Sequence, residues 1–478
     1  MADVLALDRL DDDEERILKE ILNRISSHRG FNADRARWYE ASRKIRSLGA
    51  SSVRRLSGVE TVAGWPGLVV DALEERLNIV GPVGPVGPGA TDTELDAIWA
   101  DNSLEADYSP AHLEALIHGV AFLTASRGGP GDPDPTITVE SPRTMSGIWD
   151  PVRRRLSAAA AVTLDDDGVP VGATLFLPDE TIAVVPASGS WDVVDRDRHG
   201  AGRVMAERLV NRTRASRHWG RSEITRPILS YTRAAMRTLV RSEVSSEFFS
   251  QPQRWALGVD KNAFTKEDGS PASPWEAYIG FIWALSDPDD PDAQRPSLGE
   301  FSSASPTPFI DLVKMYSQLV AGEAALPPTW LGFVTENPAS ADQIRATEAR
   351  HVSRAERRQA VFGAAWRQIL LDAAALTHHG RVPDALRPAR IQWRDAATPT
   401  RAAATDAVTK LVASGVLPAT SRVTYELLGY DTTTVDRLVA DAAAQQARAS
   451  VAALATGASA TARLALAAVP STEGAVPA

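Results

Sequence analysis

Cysteine is missing altogether from this 478-residue chain. Its absence excludes disulfides, Cys-ligated zinc and thiol catalysis. Lysine is scarce: Lys19, Lys44, Lys261, Lys266, Lys314 and Lys410 are the whole complement, and arginine supplies the other basic residues. That usage, with abundant alanine, fits a GC-rich genome and carries no mechanistic information. The roughly 18 consecutive apolar residues that a membrane span needs occur nowhere. Residues 1–20 are acidic without an apolar middle, so they do not read as a secretion signal. The chain is therefore expected to act in the cytoplasm or in a particle assembled there. A basic excess is also absent: the formal charge is −10. Proteins that grip DNA statically usually carry a positive surplus, so any DNA contact here is expected to be loose or confined to a local patch.

Catalytic signatures are equally sparse. No stretch matches GxxxxGK[ST], HExxH or GxSxG. His112 and His118 lie six apart in a predicted helix, on different faces, and read as structural. His378-His379 at a helix end reads as a partner for the helix dipole. The acidic run from Asp287 lacks the glycine and glutamate of a calcium loop and reads as a solvated turn. Asn211-Arg212-Thr213 is a glycosylation sequon, idle without secretion. No nucleophile, base and oxyanion donor can be assembled, so no enzyme, metal or cofactor is expected.

What is present suits a mixed, predominantly helical α+β protein of about two to four domains. Residues 14–27 form an amphipathic pattern through Ile17, Leu18, Ile21, Leu22 and Ile25, and 34–47 continue helical with Trp38, Tyr39 and Ile45. After the break at Gly64-Trp65-Pro66-Gly67, a short helix carries Val69, Val70, Leu73 and Leu77. The collagen-like run 81–89 is too short for a triple helix and reads as an exposed loop. Thr91-Asp92-Thr93-Glu94 is a capping box leading through Ile98 and Trp99. Ser109-Pro110 is expected to open another helix, with Leu113, Leu116, Ile117 and Val120 as its apolar face.

Residues 135–210 then read as β-rich, with a hairpin turn at Asp165-Asp166-Asp167-Gly168. A long helix is expected over roughly 222–250, its buried stripe running through Ile224, Ile228, Tyr231, Ala235, Leu239, Val244 and Phe248. A Pro-, Asp- and Gly-rich stretch, 251–306, holds strand-like runs at 254–259 and 278–285. Residues 309–319 are helical again, with Leu312 and Leu319 expected in the core. Ser340-Ala341-Asp342-Gln343 opens a long helix to about Leu376, and Thr433 reads as an N-cap further on. The alanine-rich tail reads as a marginal helix or as disordered. One feature rises above background: Arg203, Arg208, Arg212, Arg214, Arg217, Arg221, Arg226, Arg233, Arg237 and Arg241 face only Glu207 and Glu223. This series reads either as a solvated or subunit-bridging face, or as a basic girdle near DNA phosphates, with Arg221, Arg226, Arg233, Arg237 and Arg241 as its candidates.

Several stretches together resemble the portal proteins of tailed bacteriophages, especially siphophages of actinobacteria. They are Gly64 to Leu77, Ile98 to Glu105 with Glu114 to Phe122, Trp219 to Ile224, and Leu326-Pro327-Pro328-Thr329-Trp330-Leu331-Gly332-Phe333 followed by Asn337 to Ile344 and an Arg-rich helix. The likeness covers roughly 15–430. The run from Arg203 to Arg212 departs from the family's more apolar pattern. The resemblance implies a virion protein, assembled in the bacterial host cytoplasm into a twelve-subunit ring at one capsid vertex. It implies a conduit for double-stranded DNA and, as partners, the large terminase, the major capsid protein and a head–tail adaptor, with no membrane. It maps 1–220 to a wing, 221–250 and 307–325 to two stem helices, and 251–306 to a clip. It maps 326–340 to a tunnel loop, 341–376 to a tunnel helix, 377–445 to a crown and 446–478 to a tail. Pro327, Pro328, Trp330, Leu331, Gly332, Phe333 and Asn337 become DNA-tunnel candidates. The other readings weighed are a capsid or adaptor component, and a nucleic-acid-processing enzyme.

Overall fold

Asp11 starts the first helix. Its carboxylate accepts from the Glu14 backbone N–H at 2.7 Å, and the Glu14 carboxylate accepts from the Asp11 N–H at 2.9 Å. This reciprocal capping box satisfies two helix-end donors. The helix, α1 (Asp12–Tyr39), is continuous, so the two expected segments are one. Gly30 costs about 1 kcal/mol relative to alanine there but does not break it. The computed structural model describes residues 9–43, 61–84, 93–249, 254–257, 297–300, 305–332, 341–397, 401–430 and 432–467. They fall into two compact units, Met1–Ala396 and Ala397–Ala478.

In the first unit α1 lies on a five-stranded antiparallel sheet ordered β4 (Met145–Asp150), β5 (Arg155–Leu164), β6 (Pro170–Phe176), β7 (Thr181–Ala187) and β8 (Ser190–Asp197). Leu18 and Ile21 enter a cluster with Ala158, Ala160, Leu175, Ile182 and Val184. Alanines on β5 leave room for the larger helix side chains. The expected turn after β5 is present: Gly168 is left-handed at φ 76°, and its N–H donates to Asp165 O. Arg196 on β8 holds the helix end, its guanidinium contacting both Glu14 oxygens at 2.6 and 3.0 Å.

A second sheet, ordered β3 (Thr136–Glu140), β2 (Val120–Ser126) and β9 (Ala206–Val210), supports the main core. Around it pack α2 (Trp65–Glu74), α3 (Thr93–Asp101), α4 (Leu104–His118) and the long α7 (Ala341–Thr377). The expected capping box at the start of α3 lies partly outside the described residues. Helix α4 corrects the expectation at Ser109-Pro110: it begins six residues earlier, at Leu104, and carries Pro110 inside. Burial of Leu104, Ala111, Ala115, Leu116 and Ile117 outweighs the one missing backbone donor. The collagen-like run is also corrected at its start, because β1 (Ile79–Val83) pairs with β12 (Arg390–Trp393).

Helices α5 (Arg226–Phe249) and α6 (Thr307–Ala324) pack against each other. Ile228 near the start of α5 shares a cluster with Val320 and Ala324 near the end of α6, so the two run antiparallel. Between them in sequence, β10 (Arg254–Leu257) and β11 (Ser297–Glu300) form a two-stranded ribbon; the strand expected at 278–285 lies outside the described residues. The expected core role of Leu312 and Leu319 is overturned: they are 40% and 42% exposed. The residues facing inward are Ser317, Val320, Ala321 and Ala324. Small side chains there let α5 come close, which turns the larger leucines outward.

The second unit holds α8 (Arg401–Ala413), α9 (Arg422–Leu427) and α10 (Thr432–Ala467). The Ser421 side chain caps α9 by accepting from Thr424 N–H at 3.2 Å. Most of the alanine-rich tail is helical in α10, as alanine's propensity favours.

Candidate functional site

The segment after α6 begins with Pro327-Pro328. Neither can donate a backbone hydrogen bond, and Ala325 turns left-handed at φ 57°, so the helix stops. A single 3-10 turn, Pro328–Leu331, follows and ends on left-handed Gly332. Trp330 is not a free tip. It is half-buried against the cluster of Val69, Ala72, Ile228, Val320 and Leu326, and Leu331 packs there too. The Trp330 ring meets His351 edge-on at 5.4 Å, and the Arg76 guanidinium sits 5.4 Å from its centroid. Pro328, Thr329 and Gly332 remain exposed, and Pro327 is buried. Phe333 and Asn337 lie outside the described residues.

On α5 the basic candidates form one stripe. Arg226, Arg233, Arg237 and Arg241 recur at helical spacing, and all four are exposed. Among the described residues none of the four makes an ion pair. Arg233 covers the buried Trp38 ring at 4.9 Å. Arg221 does not belong to this helix, which begins at Arg226. It lies in the approach to it, its N–H donating to Asn211 O at 2.8 Å. Arg217 and Arg221 crowd Arg35; burial first, then these like charges, lower its pKa to about 10.

Other members of the series have partners within the chain. Arg203 pairs with Glu207 at 2.5 Å and lies 3.0 Å from Asp372. Arg208 sits over Trp149 at 3.5 Å and Trp219 at 5.1 Å, which spends its cation on aromatic faces rather than on solvent. Within the Arg203 to Arg212 run, β9 (Ala206–Val210) buries Ala206, Leu209 and Val210, while Arg203 and Arg208 find partners.

Glu223 is the hub that the sequence did not single out. Its side chain is fully buried between α5, α7 and the end of β9. Arg358 Nη2 donates to Oε1 at 2.6 Å and Arg354 Nη2 to Oε2 at 2.6 Å. Asn211 Nδ2 donates to Oε1 at 3.0 Å, and Arg212 approaches Oε2 at 3.4 Å. Burial alone would raise this carboxyl, but Arg354, Arg358 and Arg212 more than offset it and hold its pKa below the usual range. Arg354 also donates to the carbonyl of Ala324, and Arg358 Nε to Asn211 Oδ1 at 3.1 Å. Gly220, left-handed at φ 67°, admits the close approach of this loop; a Cβ there would run into the carbonyls of Gly119 and Asn211. The available signal was that Glu223 is one of two acids among ten arginines.

The arginines of α7 and the β9 end also line an opening. Arg212, Arg350, Arg354, Arg357 and Arg358, with Glu323, surround a cavity of ≈ 580 Å³. His112 is buried, its Nε2 accepting from Trp366 Nε1–H at 3.1 Å, and burial lowers its pKa to about 3. His118 is lowered to about 4, by burial and then by Arg143 and Arg35. His378 contacts Glu94 Oε1 at 2.8 Å. Among the described residues no His, Asp and Glu group could hold a metal ion, and no helix is long and apolar enough to cross a membrane.

Portal protein of Mycobacterium phage D29 is 33% identical over 386 residues, 79% of this chain and 78% of that protein. Portal protein of Mycobacterium phage L5 is 32% identical over 391 residues, 80% and 79% respectively. A chain of the solved virion of a native gene transfer agent particle aligns with a TM-score of 0.41 and 14% identity, over 81% of this chain and 96% of its own; that likeness is too loose to carry an argument. The profile of one family, described as phage portal protein, SPP1 Gp6-like, matches residues 32–425. The chain therefore belongs to the phage portal protein family, whose members are structural components of the virion.

Proposed function

We propose that the chain assembles into a closed ring of about twelve copies at one capsid vertex. The ring is a conduit for double-stranded DNA during packaging and ejection, and a platform for a head–tail adaptor. The observation that carries this reading is the antiparallel pair α5 and α6. One helix presents four exposed arginines on one face. The other presents Leu312, Met315 and Leu319, each at least 40% exposed, on the side away from α5. A lone monomer gains nothing from that apolar stripe. In a ring the neighbouring copy covers it, and heterologous contacts that close give cyclic symmetry.

In this reading α5 and α6 are stem helices and the segment with β10 and β11 belongs to a clip where the large terminase docks. Residues 1–220, which contain the five-stranded sheet, form the wing; α7 is the tunnel helix. Residues 377–445 form the crown and 446–478 the tail, and the major capsid protein surrounds the wing. Residues 326–340 form the loop that meets DNA. Its base is anchored by Trp330, and its exposed Pro328, Thr329 and Gly332 carry no charge, so DNA slides past without being held. The ring itself performs no catalysis; packaging energy comes from a separate motor ATPase.

Electron microscopy and light scattering of the purified full chain test the assembly. Rings with a central opening and a mass of ~600 kDa, about twelve copies of a 51.3 kDa chain, are expected. A species that stays monomeric or dimeric in every condition rejects the reading.

A further inference from the structure

We propose that the arginine-lined cavity between the end of α6, the face of α7 and the end of β9 is a binding site for a phosphate-bearing anion. Five guanidiniums line it, against one lining carboxylate, Glu323, and the Glu223 carboxylate that pairs with Arg354 and Arg358. Three positive charges are left in excess. A cavity of ≈ 580 Å³ is far larger than the ~30 Å³ that one water takes up, and it accommodates a phosphate or a short run of phosphates.

The arginines divide into two groups by what already holds them. Arg354 and Arg358 are fixed: Glu223, Asn211 Oδ1 and the carbonyls of Ala324 and Arg354 occupy their donors. They form a rigid positive wall that cannot relax away from a ligand. Arg350 and Arg357 are exposed on the same side of α7, and among the described residues neither has an ion-pair partner. Arg212 touches Glu223 through one nitrogen at 3.4 Å, which leaves most of its fork unused. The site thus has a fixed electrostatic floor and three guanidiniums able to close on a ligand. Thr213 and Ser353 add hydroxyl groups at its lining.

Phosphate suits this arrangement better than a carboxylate. Planar guanidinium forks pair bidentately with either group, but a single carboxylate brings one charge to a surplus of three. A phosphate monoester brings close to two, and a chain of phosphates brings more. The ligand is either a free phosphate compound or the backbone of a nucleic acid. The proposal does not depend on ring formation, because every lining residue belongs to one chain.

The test is calorimetric titration of the full-length protein at low salt with inorganic pyrophosphate, with a short double-stranded DNA and with citrate. Each is repeated on an Arg350→Gln, Arg357→Gln double variant and on Arg237→Gln in the α5 stripe. All three altered residues are exposed, so thermal melting should match the parent. Expected is saturable binding of pyrophosphate, one per chain, weakened about tenfold or more in the double variant and unchanged in Arg237→Gln. If DNA binding falls in parallel in the double variant, the site takes backbone phosphates; if only pyrophosphate binding falls, it takes a free anion. The proposal is overturned if pyrophosphate does not saturate, if the double variant binds it like the parent, or if citrate binds as tightly as pyrophosphate.

Discussion

Glu223 and Arg358 stand 135 residues apart in the chain and meet side chain to side chain at 2.6 Å, inside the protein. Through this contact the lead-in to α5 is tied to the middle of α7. Arg354 completes the grip on the other carboxylate oxygen at 2.6 Å. An ion cluster of this kind has a large desolvation cost that is offset only while every member is present.

Removing the acid therefore exposes the weakness of the cluster. Glu223→Ala leaves Arg354 and Arg358 buried without a counter-ion, and a loss of about 3–5 kcal/mol is expected. Chemical denaturation of the purified chain measures it. A loss below about 1 kcal/mol, the level of a surface pair, contradicts the structural role assigned to Glu223.

The apolar stripe on α6 separates assembly from folding. Leu312→Asp combined with Leu319→Asp should abolish rings while the melting temperature of the chain stays close to the parent's, since both side chains already face solvent. Val320→Asp, at a fully buried position, should instead prevent folding, because an unpaired charge in the core is severely destabilising. Rings persisting in the double Asp variant would mean that the stripe is not a subunit contact.

Trp330 anchors the base of the loop. Trp330→Ala removes a half-buried ring and should cost about 2 kcal/mol, less than the 3–5 kcal/mol of a fully buried one. Rings should still form, but the loop should lose its fixed position and filled heads should retain DNA less well. Ring formation and the yield of filled heads, scored separately in phage carrying the change, give the answer. Loss of rings would make Trp330 purely structural.

Asp372 should make stability depend on pH. Burial raises its pKa to about 8. Arg203 Nε is 3.0 Å from Oδ1 but poorly aimed, Glu207 competes for the same guanidinium, and among the described residues Oδ2 has no hydrogen-bond partner. The folded state therefore holds this proton more tightly than the unfolded state, where an aspartate titrates near 3.8. The sign follows: stability falls as pH rises from about 4 to about 8. His112 and His118 act in the opposite sense. Their folded pKa values, about 3 and about 4, lie below the ordinary 6.5, so their contribution is lost as pH falls below about 6.5. Comparing the parent with Asp372→Asn cancels the histidines. The variant should melt higher at pH 8 and nearly the same at pH 4. Equal melting at both would place Asp372 in a less hostile environment than burial dictates.

Local rules carried a large part of this protein. The helical spacing of Ile17, Leu18 and Ile21, the Asp-Gly turn after β5, the stripe of α5 and the proline break after α6 all follow from period, propensity and missing donors, which act over a few residues. The arginine stripe on α5 was legible for the same reason, since four residues at helical spacing must share a face. Other features required the folded chain. Pro110 sits inside α4 because packing of its neighbours outweighs one lost hydrogen bond. Leu312 and Leu319 face outward because Val320, Ala321 and Ala324 meet α5 instead, and an amphipathic pattern alone cannot tell which of two apolar faces is covered. Trp330 became an anchor because His351, Arg76 and the Val69 cluster arrive from distant segments. The Glu223 junction and the arginine cavity were invisible for the most basic reason: Coulomb attraction and burial depend on distance in space, and only the tertiary fold brings Arg212, Glu223, Arg354 and Arg358 to one point.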